Sequence, residues 1–135
     1  MLSGIHHIGI AVKNLDEAIQ AYENTLGIQV ESTHDASSRG IRVAMLSVGN
    51  ARLELVEPVG KESAMAQYIE SHGEGIHHIG FEVDDISKEL EALSAKGIKL
   101  RDREPRQGVT GTIAFLHPEA MNGVLVELIE KKGAE

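Results

Sequence analysis

Two periods alternate along this chain. Over residues 5–12 Ile8, Ile10 and Val12 fall on one side and His7, Gly9 and Ala11 on the other, the alternation of a strand. Leu15, Ala18, Ile19, Tyr22 and Leu26 then recur at helical spacing, with Asn14 placed as N-cap, Glu17 completing a capping-box pattern, and Gly27 as the stop. Strands are expected near 28–33, 41–48 and 51–57, the last two joined by a tight turn at Gly49-Asn50. Ser63 is placed to cap a short helix that runs to His72 and ends at Gly73 and Gly75. The plan then repeats. A strand at 76–83 precedes a helix from Asp85 that buries Ile86, Leu90 and Leu93 and stops at Gly97, and strands follow near 98–103, 112–117 and 123–130.

The repetition extends to the residues themselves. Ile5-His6-His7-Ile8-Gly9 returns as Ile76-His77-His78-Ile79-Gly80, and Gly27-Ile28 as Gly97-Ile98. Val43-Ala44-Met45-Leu46 matches Ile113-Ala114-Phe115-Leu116, and Leu53-Glu54-Leu55-Val56 matches Val126-Glu127-Leu128-Ile129. The fold class expected is therefore α+β: two tandem βαβββ modules related by a pseudo-two-fold axis, their sheet curved around a cleft. Module one covers residues 5–58, the linking helix 63–72 and module two 76–130, within a single domain over 1–135.

Composition narrows the chemistry. The chain has 135 residues, enough for a real core, and no cysteine, which excludes disulfides, thiolate zinc sites and cysteine nucleophiles. Aromatics make up 3% and the net charge is −8, so a nucleic-acid partner is not expected. No signal peptide, transit sequence or long apolar run is visible, which points to the cytoplasm and away from a membrane.

Each module carries one His early and one Glu late. His7 and His78 share a register in repeated strands, as do Glu54 and Glu127 in repeated terminal strands. A single His or Glu in a strand is ordinarily structural, and duplication would copy a structural feature twice. The alternative is that two imidazoles and two carboxylates converge on one divalent metal, with positions left open for substrate. His6 and His77 fall on the opposite faces of their strands and read as structural. Lys96, Lys99, Arg101, Arg103 and Arg106 form either a solvated basic hairpin or a counter-charge for substrate phosphates. In that run Arg106, Gly108, Thr110 and Gly111 are the candidate substrate contacts, the glycines by letting backbone amides approach an anion.

With these residues in view, the chain resembles the vicinal oxygen chelate superfamily and, within it, the methylmalonyl-CoA epimerase family along nearly its whole length. The resemblance rests on Gly73-Glu74-Gly75-Ile76-His77-His78-Ile79, Glu104-Pro105-Arg106-Gln107-Gly108, Phe115-Leu116-His117-Pro118 and Gly123-Val124-Leu125-Val126-Glu127-Leu128, together with Ile5 to Val12. It implies interconversion of the C2 epimers of methylmalonyl-CoA by a homodimer. It also implies one divalent ion per chain, Co2+ foremost with Mn2+, Zn2+ or Ni2+ as alternatives. His7, His78 and Glu127 are the ligands it implies, and Glu127 the proton carrier. Two positions depart from the family pattern: some members have Gln at the place of Glu54, and a second catalytic Glu at the place of Val43. Glu54 is then expected to bind the metal at rest and to act as the second base. A glyoxalase-type lactoylglutathione lyase would use the same four ligands, and a metal-free drug-binding protein would need none of them.

Overall fold

The computed structural model describes residues 1–131, and among these it places eight strands and three α-helices. They are β1 (Leu2–Ala11), α1 (Leu15–Leu26), β2 (Val30–Ala36), β3 (Ile41–Val48), β4 (Ala51–Pro58), α2 (Ala64–His72), β5 (Gly75–Val83), α3 (Ile86–Ala95), β6 (Arg106–Gln107), β7 (Gly111–Phe115) and β8 (Val126–Lys131). The strands hydrogen-bond in the order β2-β3-β4-β1-β5-β8-β7-β6. That order reads the same from either edge once each strand is exchanged for its repeat counterpart, so the fold is two βαβββ modules of α+β class. The chain divides into two compact units, one of His7–His77 and one of Met1–His6 with the chain from His78 onward.

In the first unit, helix α1 begins where the sequence places its cap. The Asn14 side chain accepts from the amide of Glu17 at 3.0 Å, and Gly27 closes the helix at φ 69° with its amide donating to Glu23. Its apolar stripe packs on one face of the strands: Leu15, Ala18, Ile19 and Tyr22 meet Val12, Ala44, Leu46 and Leu55. Burying each large aliphatic side chain there contributes about 1.5–3 kcal/mol. Strands β3 and β4 form a two-residue hairpin in register Val48↔Ala51, and the positive φ of 57° falls on Gly49, as a type II′ turn requires.

The second unit repeats these choices. Asp85 caps α3 through the amide of Lys88, and Ile86 and Leu90 pack with Val83, Ala114, Leu116, Val126 and Leu128. One expected element differs. Residues 98–103 form no strand; Leu100 makes an isolated bridge to Leu116, and β6 comes later, at Arg106–Gln107. The amides of Arg101 and Asp102 both donate to the Phe115 carbonyl at 3.0 Å, while the Asp102 carboxylate accepts from the Phe115 amide at 2.9 Å. A side chain thus occupies a position a ladder would need, and pairing resumes only beyond it. Among the described residues no helix is long and apolar enough to cross a membrane.

Candidate metal centre

Register decides which side chains share a face. In the first unit the parallel β1–β4 pairing sets Ile8 opposite Leu53, Gly9 opposite Glu54 and Ala11 opposite Val56. The antiparallel β3–β4 pairing adds Met45 opposite Glu54 and Val43 opposite Val56. Since Leu55, Ala44 and Leu46 lie under α1, the alternate residues His7, Gly9, Glu54, Val43 and Met45 lie on the face turned away from it. The second unit has the same arrangement. Gly80 pairs with Glu127, and Phe115 with Glu127, while Phe81, Leu128 and Ala114 pack with α3.

Each unit therefore brings one of its expected imidazoles to one of its expected carboxylates. His7 Nε2 lies 3.9 Å from Glu54 Oε1, and His78 Nε2 lies 3.6 Å from Glu127 Oε1. Both separations exceed a hydrogen bond. Two donors bound to a common ion at about 2.0–2.2 Å lie roughly 3.0–3.4 Å apart, so closing each pair by a few tenths of an ångström meets that requirement. Side-chain exposure is 1% for His7, 5% for His78 and 7% for Glu127, against 13% for Glu54, so Glu54 is the group solvent or substrate reaches most easily. In each repeat a glycine stands directly across from the carboxylate, leaving space beside it that a side chain would fill. Neutral imidazole nitrogen with carboxylate oxygen is a donor set for a divalent first-row metal.

Around the second pair, the Phe115 ring meets the edge of His78 at 5.9 Å between centroids, and the Arg106 guanidinium lies over that ring at 5.5 Å. Asp102 holds Arg106 through its Nε at 3.4 Å. Arg106 is half exposed, and Lys99 is paired with Glu119 at 2.9 Å, which holds the Glu119 carboxyl below its ordinary value. The glycine-containing loop is tightly packed: the Gly108 amide donates to the Gly111 carbonyl at 2.7 Å, and a Cβ at Gly111 would lie 2.4 Å from the Glu130 carbonyl oxygen. Thr110 is half-buried in the turn between them. His6 is buried, and His77 sets its ring against Tyr68 at 4.5 Å.

Two functional supports escape a reading of the sequence alone. Glu57 accepts from the Leu15 amide at 2.7 Å, and Glu130 accepts from the Ile86 amide at 3.0 Å. Each glutamate thereby ties the first turn of a helix to the strand bearing a candidate ligand three residues earlier. The signal was present as Leu53-Glu54-Leu55-Val56-Glu57 against Val126-Glu127-Leu128-Ile129-Glu130.

The sequence model of the glyoxalase/bleomycin resistance protein/dioxygenase superfamily matches residues 6–116. The ethylmalonyl-CoA/methylmalonyl-CoA epimerase of Cereibacter sphaeroides is 38% identical over 131 residues, spanning 95% of this chain and 98% of that protein. A solved structure of a variant Streptomyces coelicolor methylmalonyl-CoA epimerase, in complex with 2-nitronate-propionyl-CoA, is 37% identical with a TM-score of 0.93, over 100% of this chain and 99% of that one. A probable lactoylglutathione lyase of Vibrio parahaemolyticus is less similar, at 30% identity over 96% of this chain and 92% of that protein. The chain belongs to the glyoxalase/bleomycin resistance protein/dioxygenase superfamily and, within it, to the methylmalonyl-CoA epimerase family.

Proposed function

We propose that this protein is a metal-dependent epimerase interconverting (2R)- and (2S)-methylmalonyl-CoA, with His7, Glu54, His78 and Glu127 holding one divalent ion. The observation that carries the reading is the repeated register, which sets a buried His beside a Glu and that Glu across from a glycine in each unit. Within each unit the pair is of the type that holds such an ion, His7 with Glu54 in one and His78 with Glu127 in the other. The greater similarity to epimerases than to lactoylglutathione lyases favours epimerisation. On the family resemblance, the ion is read as Co2+, with Mn2+, Zn2+ or Ni2+ as alternatives. The same resemblance supports a homodimer, and the match along nearly the whole chain supports reading the two fused modules as a single domain.

Bound there, a divalent ion would polarise the substrate's carbonyl oxygens and contribute several kcal/mol to stabilising enolate charge. The chain's own groups handle the proton. Glu127 takes it from C2, the C2–H electron pair moves into the thioester as an enolate, and a proton returns to the opposite face. Each pKa unit separating carbon acid and base costs about 1.4 kcal/mol, so orientation of the carboxylate matters as much as its basicity. Glu54, the more accessible carboxylate and the symmetry counterpart of Glu127, is assigned both ligand and second base. Arg106, over Phe115, is the substrate contact favoured in the basic run, with Gly108, Thr110 and Gly111 forming the adjoining turn.

Equilibrium dialysis of chelated protein against Co2+ tests the site. One ion per chain is expected, with affinity reduced at least tenfold in His7→Ala and His78→Ala. Unchanged affinity in both variants would remove the metal centre.

A further inference from the structure

The register that brings His7 beside Glu54 also places a further nitrogen-bearing side chain on that face of the first unit. Strand β2 pairs with β3 so that His34 stands opposite Val43 and Ser32 opposite Met45. Val43 and Met45 lie on the same face as Glu54, so Ser32 and His34 lie there too. Apart from Glu54, His7 and Arg52, whose Nε donates to Glu31 at 3.0 Å, their neighbours on that face are Val43, Met45, Val56, Gly9 and Ala11, which offer an imidazole no side-chain partner. His34 is half-buried. Its Nε2 lies 3.0 Å from the Ser32 hydroxyl, the only hydrogen-bond partner of the His34 ring among the described residues, so Nδ1 is uncommitted.

The repeat gives that position a meaning. Val43 corresponds to Ile113, and the residue paired with Ile113 on edge strand β6 is Arg106. Each module's edge strand thus carries a nitrogen donor at the same register: a guanidinium in the second unit, an imidazole in the first. We infer that His34, oriented by Ser32, is a substrate-binding residue whose Nδ1–H donates to an acceptor oxygen of the acyl group, its carboxylate or thioester carbonyl. An acceptor at Nδ1 selects the Nδ1–H tautomer, and Ser32 then donates to Nε2, so both ring nitrogens are satisfied. The acyl end is preferred to the phosphates because His34 shares its face with His7 and Glu54. This inference rests on the epimerase reading and names a residue which that reading does not use.

The test compares metal-loaded wild type with His34→Ala and His34→Asn, using methylmalonyl-CoA and the methylmalonyl thioester of N-acetylcysteamine, which lacks phosphates. An Asn amide nitrogen falls near the place of imidazole Nδ1 and keeps the donor. His34→Ala is expected to raise KM about tenfold on both thioesters with kcat within twofold, the pattern of a lost uniform-binding hydrogen bond to a charged group, and His34→Asn to restore most of it. Unchanged KM in His34→Ala overturns the inference and leaves the epimerase reading intact. So does an equal defect in both variants accompanied by a lowered melting temperature, which marks a structural role. An effect confined to methylmalonyl-CoA overturns the acyl assignment in favour of a phosphate contact. Wild type inactive on both thioesters removes the epimerase reading, and this inference with it.

Discussion

Replacing Glu130 with Ala should destabilise the protein through the second module's helix. The lost interaction is defined: the carboxylate Oε1 accepts from the amide of Ile86, first residue of α3, at 3.0 Å in a partly buried setting. That amide is one of the donors a helix start leaves without an intrahelical partner. A hydrogen bond to a charged acceptor contributes about 1.5–3 kcal/mol, and the carboxylate gains a further ~0.3–1 kcal/mol from the helix dipole. Freeing the ordered Glu side chain returns about 1 kcal/mol or more of entropy, which leaves a net cost of roughly 2 kcal/mol. Unfolding entropy of about 2.1 cal/mol/K per residue over 135 residues gives roughly 0.28 kcal/mol/K, so the melting temperature should fall by roughly 7 °C. Glu130→Gln keeps an acceptor and loses the charge, and should fall by about half as much. Differential scanning calorimetry at neutral pH reads both. A fall below 1 °C in Glu130→Ala would refute the cap, and equal losses in the two variants would assign the effect to charge alone.

Other expectations follow the same contacts. Gly111→Ala would set a methyl against the Glu130 carbonyl, and should cost about 2–3 kcal/mol in a denaturant titration, since backbone on both sides must move. Glu54→Gln should keep a bound ion by metal analysis while lowering turnover about a hundredfold or more; near-normal turnover would remove Glu54 as a base. The Glu82 carboxyl is held below its ordinary value of 4.5, first by its bond to Lys131. A depressed folded value stabilises above the unfolded value and is lost as pH falls through the folded one. Below about pH 4.5, wild type should therefore lose stability faster than Glu82→Gln, by a small amount because the pair is partly exposed. Coincident acid limbs would contradict this.

How much of this was written in the sequence depends on the range of each interaction. Caps at Asn14 and Ser63 and the Gly49-Asn50 hairpin were legible because their partners are two to four residues away. The closeness of Glu54 to His7 and of Glu127 to His78 was legible through the repeat, which carries long-range information in a local comparison. The strand expected at 98–103 was not, because its pairing is interrupted by the Asp102 carboxylate reaching Phe115, which composition and periodicity do not encode. Gly108 and Gly111 were legible as a pair that lets backbone amides approach an anion, whereas their tight contacts with Ile113 and with the Glu130 carbonyl come from distant pairing that the sequence does not display. His34 carried no motif at all. Its place became visible only through the β2–β3 register, after the shift between Val30 and Ser32 that no alternation pattern marks.

The central claim is that the paired His–Glu registers serve metal-dependent removal of the C2 proton. Proton NMR of the Co2+-loaded protein with racemic methylmalonyl-CoA in deuterated water tests it most directly. The account predicts loss of the C2 proton signal with the loaded protein, its arrest on chelation and its return when metal is restored. Persistence of that signal with every divalent metal would contradict it.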